Sequence, residues 1–277
     1  MSPKGRGKSG SLQAHRNEAP GHLPGHGEPM SEEVFDHDSW NYSPPKLPKQ
    51  SKLTLGPIHG VLPFDGVRNP GSRSATSHRV WFPYQTEAND WKPKVGVCES
   101  AAEHACALQF LINPDTYDLH CQPLTVLFKK EGGGEQPYTH DLLWTARNGH
   151  RRLVFVRHET SLSKPYTWRD IAAIIKATPS TAADDLIVVN ANDYPRQRRE
   201  NLFRMHQFVR DRDDEADEIV LSIARRLKTL WLMRDLFPHT PIAQHRVFRA
   251  CYRLVARGLM RANLDHVLWE HSRVAVA

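Results

Sequence analysis

The sequence is poor in cysteine and has no long apolar run. Its four cysteines are Cys98, Cys106, Cys121 and Cys251. None forms a Cys-x-x-Cys pair, which argues against a zinc finger. No apolar stretch approaches the roughly 20 residues that cross a bilayer. The opening residues, MSPKGRGKSGSLQAHRNEAPGH, lack an apolar h-region, so no secretory signal is read there. These absences lead us to expect a cytoplasmic protein with reduced thiols and no membrane partner. No internal repeat is visible either. What the chain does have is a basic excess: 37 Lys and Arg against 31 Asp and Glu, a formal charge of +6 and a pI near 9.2. Such an excess favours an anionic partner, and nucleic acid comes first.

Composition divides the 277 residues. Residues 1–70 are rich in Pro, Gly, His, Ser and Lys, as in GHLPGHGEP and YSPPKLPKQSK. They cannot bury enough apolar surface to offset chain entropy, so a disordered tail is expected. Order is expected from SHRVWFPYQ onward. A helix is read from Glu99 to Ile112, because Ala101, Ala105, Leu108 and Ile112 make an apolar stripe that Asn113-Pro114 ends. Strands follow at LTVLF (124–128) and in a hairpin around Asn148-Gly149. A helix capped by Thr167 and the strand DLIVVN (185–190) come next. This order makes a compact α/β unit over 71–210. Residues 211–277 read as helical, with a helix starting at Thr240-Pro241 and closed by Gly258. LMRANL and SRVAVA can pair as strands, which gives a winged-helix-like module.

Two places carry candidate chemistry. Glu99 and Glu103 fall one turn apart and can share a helix face, which also suits a solvated helix edge. In YTHDLLWTARNGHRRLVFVRHE, Asp141 opens the first strand of the hairpin and Phe155-Val156-Arg157 ends the second. Residues two apart in a strand point the same way, so Phe155 and Arg157 share a face. Phe155 cannot ligate a metal. Arg157 can hold a phosphate through two bonds but cannot act as a base. Taken alone, the strand is an apolar one with a snorkelling arginine.

The order of these pieces resembles the TnsA-like endonuclease subunits of heteromeric bacterial transposases, from about Arg73 to Val209. SHRVWFPY resembles the family's basic, aromatic lead-in. CESAAEHACALQFLINPDTYDLHCQPLTVLF is similar to its "Glu-Ser-x-x-Glu … Asp-Pro … Gln-Pro" run. YTHDLL is similar to "Tyr-x-Pro-Asp-Phe", with His140 in place of proline. VVNANDYPRQRRENLFRMHQF resembles the closing strand and helix, and RLVARGLMRANLDHVLWEHSRV the C-terminal winged-helix tail. The resemblance implies a restriction-endonuclease-like α/β core of the PD-(D/E)XK type, a mixed sheet flanked by helices. It implies metal-dependent phosphodiester cleavage at transposon ends, with Mg²⁺ as cofactor. It also implies DNA, a DDE transposase and an AAA ATPase regulator as partners. Carried over by position, Glu103 and Asp141 are the metal-binding acids, and Arg157 stands at the catalytic lysine. Phe155 replaces the third ligand, Glu or Gln, so the site is half matched and any Mg²⁺ would be weakly held. Glu159, His140 and His158 are substitute ligands to consider. Arg196, Arg198, Arg199, Arg225 and Arg226 are the expected phosphate contacts.

Hairpin register decides whether the carry-over is geometrically sound. A two-residue Asn148-Gly149 turn pairs Arg147 with His150 and puts Asp141 and Phe155 on opposite faces. A loop of 148–150 pairs Arg147 with Arg151 and puts Asp141, Phe155 and Arg157 on one face. The resemblance requires the second, or an equivalent bulge, with that face turned toward Glu103. Three functional readings follow. One is an endonuclease subunit with an altered site. The second is a nuclease fold kept for DNA binding and assembly. The third is a repressor-like protein that relies on its wing.

Overall fold

A computed structural model describes residues 56–68 and 79–277; the expectation of a disordered tail over residues 1–55 lies outside these. At 56–68 the expectation fails, because this segment is fastened to the body. Leu62 bridges Lys94, the buried Lys94 ammonium meets Asp65 at 2.6 Å, and Val67 N–H donates to the Gln122 carbonyl at 2.9 Å. Gly66 is required there, since a Cβ would lie 2.7 Å from the Cys121 carbonyl oxygen.

The fold is mixed α/β. Its main sheet has the order β3-β6-β7-β8, built from Thr116–Cys121 (β3), Leu142–Ala146 (β6), Arg151–Arg157 (β7) and Asp185–Asn190 (β8). The first two pairings are antiparallel, and β7 runs parallel to β8. Two small antiparallel pairs flank it: Val80–Tyr84 (β1) with Lys94–Cys98 (β2), and Thr125–Lys129 (β4) with Glu135–Thr139 (β5). The helix Ala101–Leu111 (α1) lays Ala102, Ala105, Cys106 and Leu108 against Leu142, Val154 and Val156. Phe155 points the other way. It packs with Val126 and Phe128 of β4 and with Ile171 and Ile174 of the helix Pro165–Ala177 (α3), which follows the short helix Glu159–Leu162 (α2). Strict alternation in β7 therefore serves two cores at once.

Several boundaries differ from the sequence reading. α3 begins two residues before Thr167, with Pro165 at the first helical position, where its missing N–H costs nothing. The helices Arg196–Arg210 (α4) and Asp214–Arg226 (α5) follow one another closely. Only 211–213 intervene, and Asp213 caps α5 by accepting Ala216 N–H at 3.2 Å. The next helix, Gln244–Ala256 (α6), starts after Thr240-Pro241 rather than at it. Gly258, with φ +71°, closes it as read. Met260–Ala262 (β9) and Val274–Val276 (β10) pair antiparallel, also as read.

α5, α6 and the β9–β10 hairpin enclose a second core. It joins the first through Phe248, Val255 and Ala262, which touch both. The fully buried Asn201 of α4 strengthens the join. Its amide donates to the carbonyls of Leu264 (3.0 Å) and His266 (2.8 Å), and its oxygen accepts Leu268 N–H at 2.8 Å. No helix among the described residues is long and apolar enough to cross a membrane. All four cysteines are free and buried.

Candidate active site

One end of the main sheet gathers the acids. β3 and β7 finish there, β6 starts there, and α1 brings its N-terminus. Gln122, just past β3, is the hub. Its N–H donates to the Asp141 carbonyl at 2.9 Å, and its amide donates to Glu103 Oε1 at 3.3 Å. It is fully buried and has φ +55°. A residue before proline is normally extended, and a left-handed non-glycine costs roughly 1–3 kcal/mol. Such strain tends to collect at functional sites. The sequence offers Gln122 only as part of the Gln-Pro of the family-like run and gives it no role, because nothing in Gln-Pro announces a left-handed backbone.

Glu103 has a structural occupation as well as a candidate chemical one. Ser100 caps α1 by accepting Glu103 N–H at 3.1 Å, and Glu103 Oε2 accepts Glu99 N–H at 2.9 Å. This is a capping box written in Ser100-x-x-Glu103, with its return bond moved one residue earlier. Glu99 therefore precedes the cap and is not on the helix face, contrary to expectation. Its carboxylate pairs instead with Arg68, whose guanidinium also donates to Gln122 Oε1 at 3.2 Å. Burial pushes the Glu103 carboxyl well above the usual range, and the nearby charge of Asp141 adds to the push.

The hairpin takes neither of the two registers expected. Ala146 N–H donates to the His150 carbonyl at 2.8 Å, Gly149 N–H donates to the Ala146 carbonyl at 2.9 Å, and Gly149 has φ +88°. The loop is Arg147-Asn148-Gly149, a three-residue connection with glycine in its left-handed position. Leu142 faces Val154, so one step back Asp141 falls opposite Phe155. Asp141, Phe155 and Arg157 do share a face. That face packs on α3 and β4, however, and α1 covers the opposite one. Glu103 meets the group around the end of the strands, not across the face.

Asp141 is buried. Its Oδ2 accepts Val156 N–H at 2.8 Å, Arg157 Nη1 at 3.4 Å and the Tyr138 hydroxyl at 3.5 Å. Burial pushes its pKa up to about 6, against the restraint of Arg157. The Arg157 guanidinium lies 4.2 Å from the Phe155 ring centroid and 5.5 Å from that of Tyr138. Burial opposes its charge, but the carboxylates of Asp141, Glu103 and Glu99 and the Tyr138 hydroxyl outweigh that. One permanent cation is thus stacked on an aromatic platform and fixed beside the acids.

No protein-family model matches the chain, and no curated protein does. The site must be judged on its own donors, and they do not fit Mg²⁺. That ion needs several oxygen ligands in octahedral array. Both Glu103 oxygens already accept protein hydrogen bonds, Phe155 offers no ligand, and Arg157 lies against Asp141. Among the described residues, no group of three or more His, Cys, Asp or Glu side chains is placed to hold a metal. The substitutes do not repair this. Glu159 opens α2, His158 Nδ1 lies 3.3 Å from Asn192 Oδ1, and His140 Nε2 lies 3.0 Å from Thr178 Oγ1.

The expected DNA contacts sit on separate helices. Arg196, Arg198 and Arg199 form the first turn of α4, with the Arg198 guanidinium 5.6 Å from the Tyr194 ring. Arg225 and Arg226 are exposed in the last turn of α5, where positive charge also suits the helix dipole.

Proposed function

We propose that this chain is a TnsA-like subunit of a heteromeric transposase, acting with DNA, a DDE transposase and an AAA ATPase. Its nuclease fold is kept for binding and assembly, and its phosphodiester chemistry is lost. The four-stranded mixed sheet with α1 and α3 on opposite faces supports a restriction-endonuclease-like core. The run of α5, α6 and hairpin supports a winged-helix-like tail. One observation carries the loss of chemistry: the Arg157 guanidinium, stacked on Phe155 and paired with Asp141, stands where a nuclease needs an open carboxylate set.

The test is cleavage of transposon-end duplex with Mg²⁺ or Mn²⁺. The unaltered protein should bind and not cut. Phe155→Glu with Arg157→Lys returns an acid and a lysine to the face that carries Asp141, and should produce metal-dependent nicking. Robust cutting by the unaltered protein, abolished by Asp141→Ala, would restore the endonuclease reading. Binding itself should weaken by orders of magnitude between about 50 and 200 mM salt if many phosphates are contacted.

A further inference from the structure

The C-terminal module sorts its charges into two ends. At one end the acids are matched: Asp213 with Arg246 at 2.8 Å, Asp211 with Arg249 at 2.8 Å, and Asp217 with Arg253 at 2.7 Å and Arg257 at 2.8 Å. At the other end Arg225, Arg226, Lys228, Arg234, Arg261 and Arg273 are all exposed. None of the six enters an ion pair among the described residues.

Two tryptophans stand at this second end, Trp231 at 62% and Trp269 at 56% exposure. Neither sits on a loose loop. Val274 N–H donates to the Trp231 carbonyl at 3.1 Å, Met233 N–H to Ser272 at 3.0 Å and Arg234 N–H to Glu270 at 2.8 Å. Asp235 spends its carboxylate on the N–H groups of Trp231 (3.1 Å) and Leu232 (2.8 Å). Trp269 N–H donates to Ser272 Oγ at 3.0 Å. The Arg273 guanidinium lies 5.6 Å from the Trp231 ring, and the His271 ring 4.4 Å from that of Trp269. Glu270 is the one acid on this ladder, 3.8 Å from His271.

Fixed, open indoles interleaved with unmatched cations form a surface for a chain that alternates flat rings and negative charge. Duplex DNA would offer phosphates to the arginines but keeps its base faces stacked. An unpaired strand offers both. We propose that the ladder formed by 231–234 and 269–274 binds single-stranded DNA, with bases stacking on Trp231 and Trp269 and phosphates meeting Arg234 and Arg273. Of the proposed function this uses only DNA as the partner, and it adds the strand type and the surface.

The experiment is fluorescence anisotropy on the full chain, with a labelled oligo-dT strand and a duplex of equal length. Trp231→Ala with Trp269→Ala should weaken single-strand binding by roughly 10- to 100-fold and leave duplex binding nearly unchanged. Trp→Phe at both positions should keep most of the affinity, and thermal melting checks that each variant folds. Arg273→Ala should weaken single-strand binding and reduce its salt slope by about one contact. Single-strand affinity that ignores both tryptophans overturns the proposal, as does equal loss on both DNA forms. Duplex binding without single-strand binding sinks this inference alone. No binding of either form at low salt sinks the proposed function with it.

Discussion

Phe155 and Arg157 look like two separate features in the sequence, yet physically they depend on each other. A guanidinium stacks on an aromatic ring with a favourable energy of about 0.5–2 kcal/mol, and here the ring is Phe155, at 4.2 Å. Lysine would stack less well and titrate more readily. The buried acids beside this pair carry a cost that pH should reveal. Asp141 has a folded pKa near 6 against an ordinary 3.8, raised chiefly by burial. The folded state therefore holds this proton more tightly than the unfolded chain. Stability is highest below pH 4 as far as this group is concerned. It falls as pH rises toward 6, by on the order of 3 kcal/mol. Asp141→Asn keeps the shape and removes the titration. We expect the variant to match the unaltered protein at pH 4 and to exceed it above pH 6.5 in chemical denaturation. A variant less stable at neutral pH would show that the Arg157 pairing outweighs the burial cost.

At the scale of elements, legibility followed apolar pattern. β8, α1 and the β9–β10 pair were readable because branched or periodic apolar residues mark them. β3 (TYDLHC) and β5 (EQPYT) were not read, since each is largely polar and owes its strand state to a partner strand distant in sequence. The resemblance asks for a loop of 148–150, and the local Asn-Gly signal for one of 148–149; the loop is Arg147-Asn148-Gly149 instead, because register here follows the burial of Leu142, Val154 and Val156. The candidate site was legible only at Glu103, Asp141 and Arg157. Arg68 lay in a segment read as tail, and Tyr138 on the unread β5. Ser100-x-x-Glu103 is legible both as a cap and as the family-like acid, and the structure shows the cap. Asn201 shows how one polar residue can join elements: Asn201→Ala would orphan two carbonyls and one N–H in a buried seam. A loss of roughly 2–4 kcal/mol is expected, with faster hydrogen exchange across 264–268. Exchange unchanged there would mean that apolar packing alone holds the seam.

For the whole molecule, the histidines set the acid limit. Burial lowers His104 and His140 to about 4, and lowers His206 to about 3 with help from the charges of Arg210 and His104. Their folded pKa values lie below the ordinary 6.5, so the folded state keeps them neutral. Their contribution is complete above pH 6.5 and is lost as pH falls through about 4, opposite in sign to Asp141. His104 and His206 lie on α1 and α4, which pack together beneath the candidate site, so protonating either strains the same layer. Three histidines that each lose on the order of 3 kcal/mol outweigh the gain from Asp141. Stability should therefore fall steeply between pH 6 and pH 4. His206→Phe, a ring of similar bulk in the same apolar layer, should flatten this limb while changing stability little at pH 7.5. Thermal melts across that range read the slope directly. A limb that stays equally steep in the variant would move the acid sensitivity to His104 and His140, and the layer between α1 and α4 would not be its source.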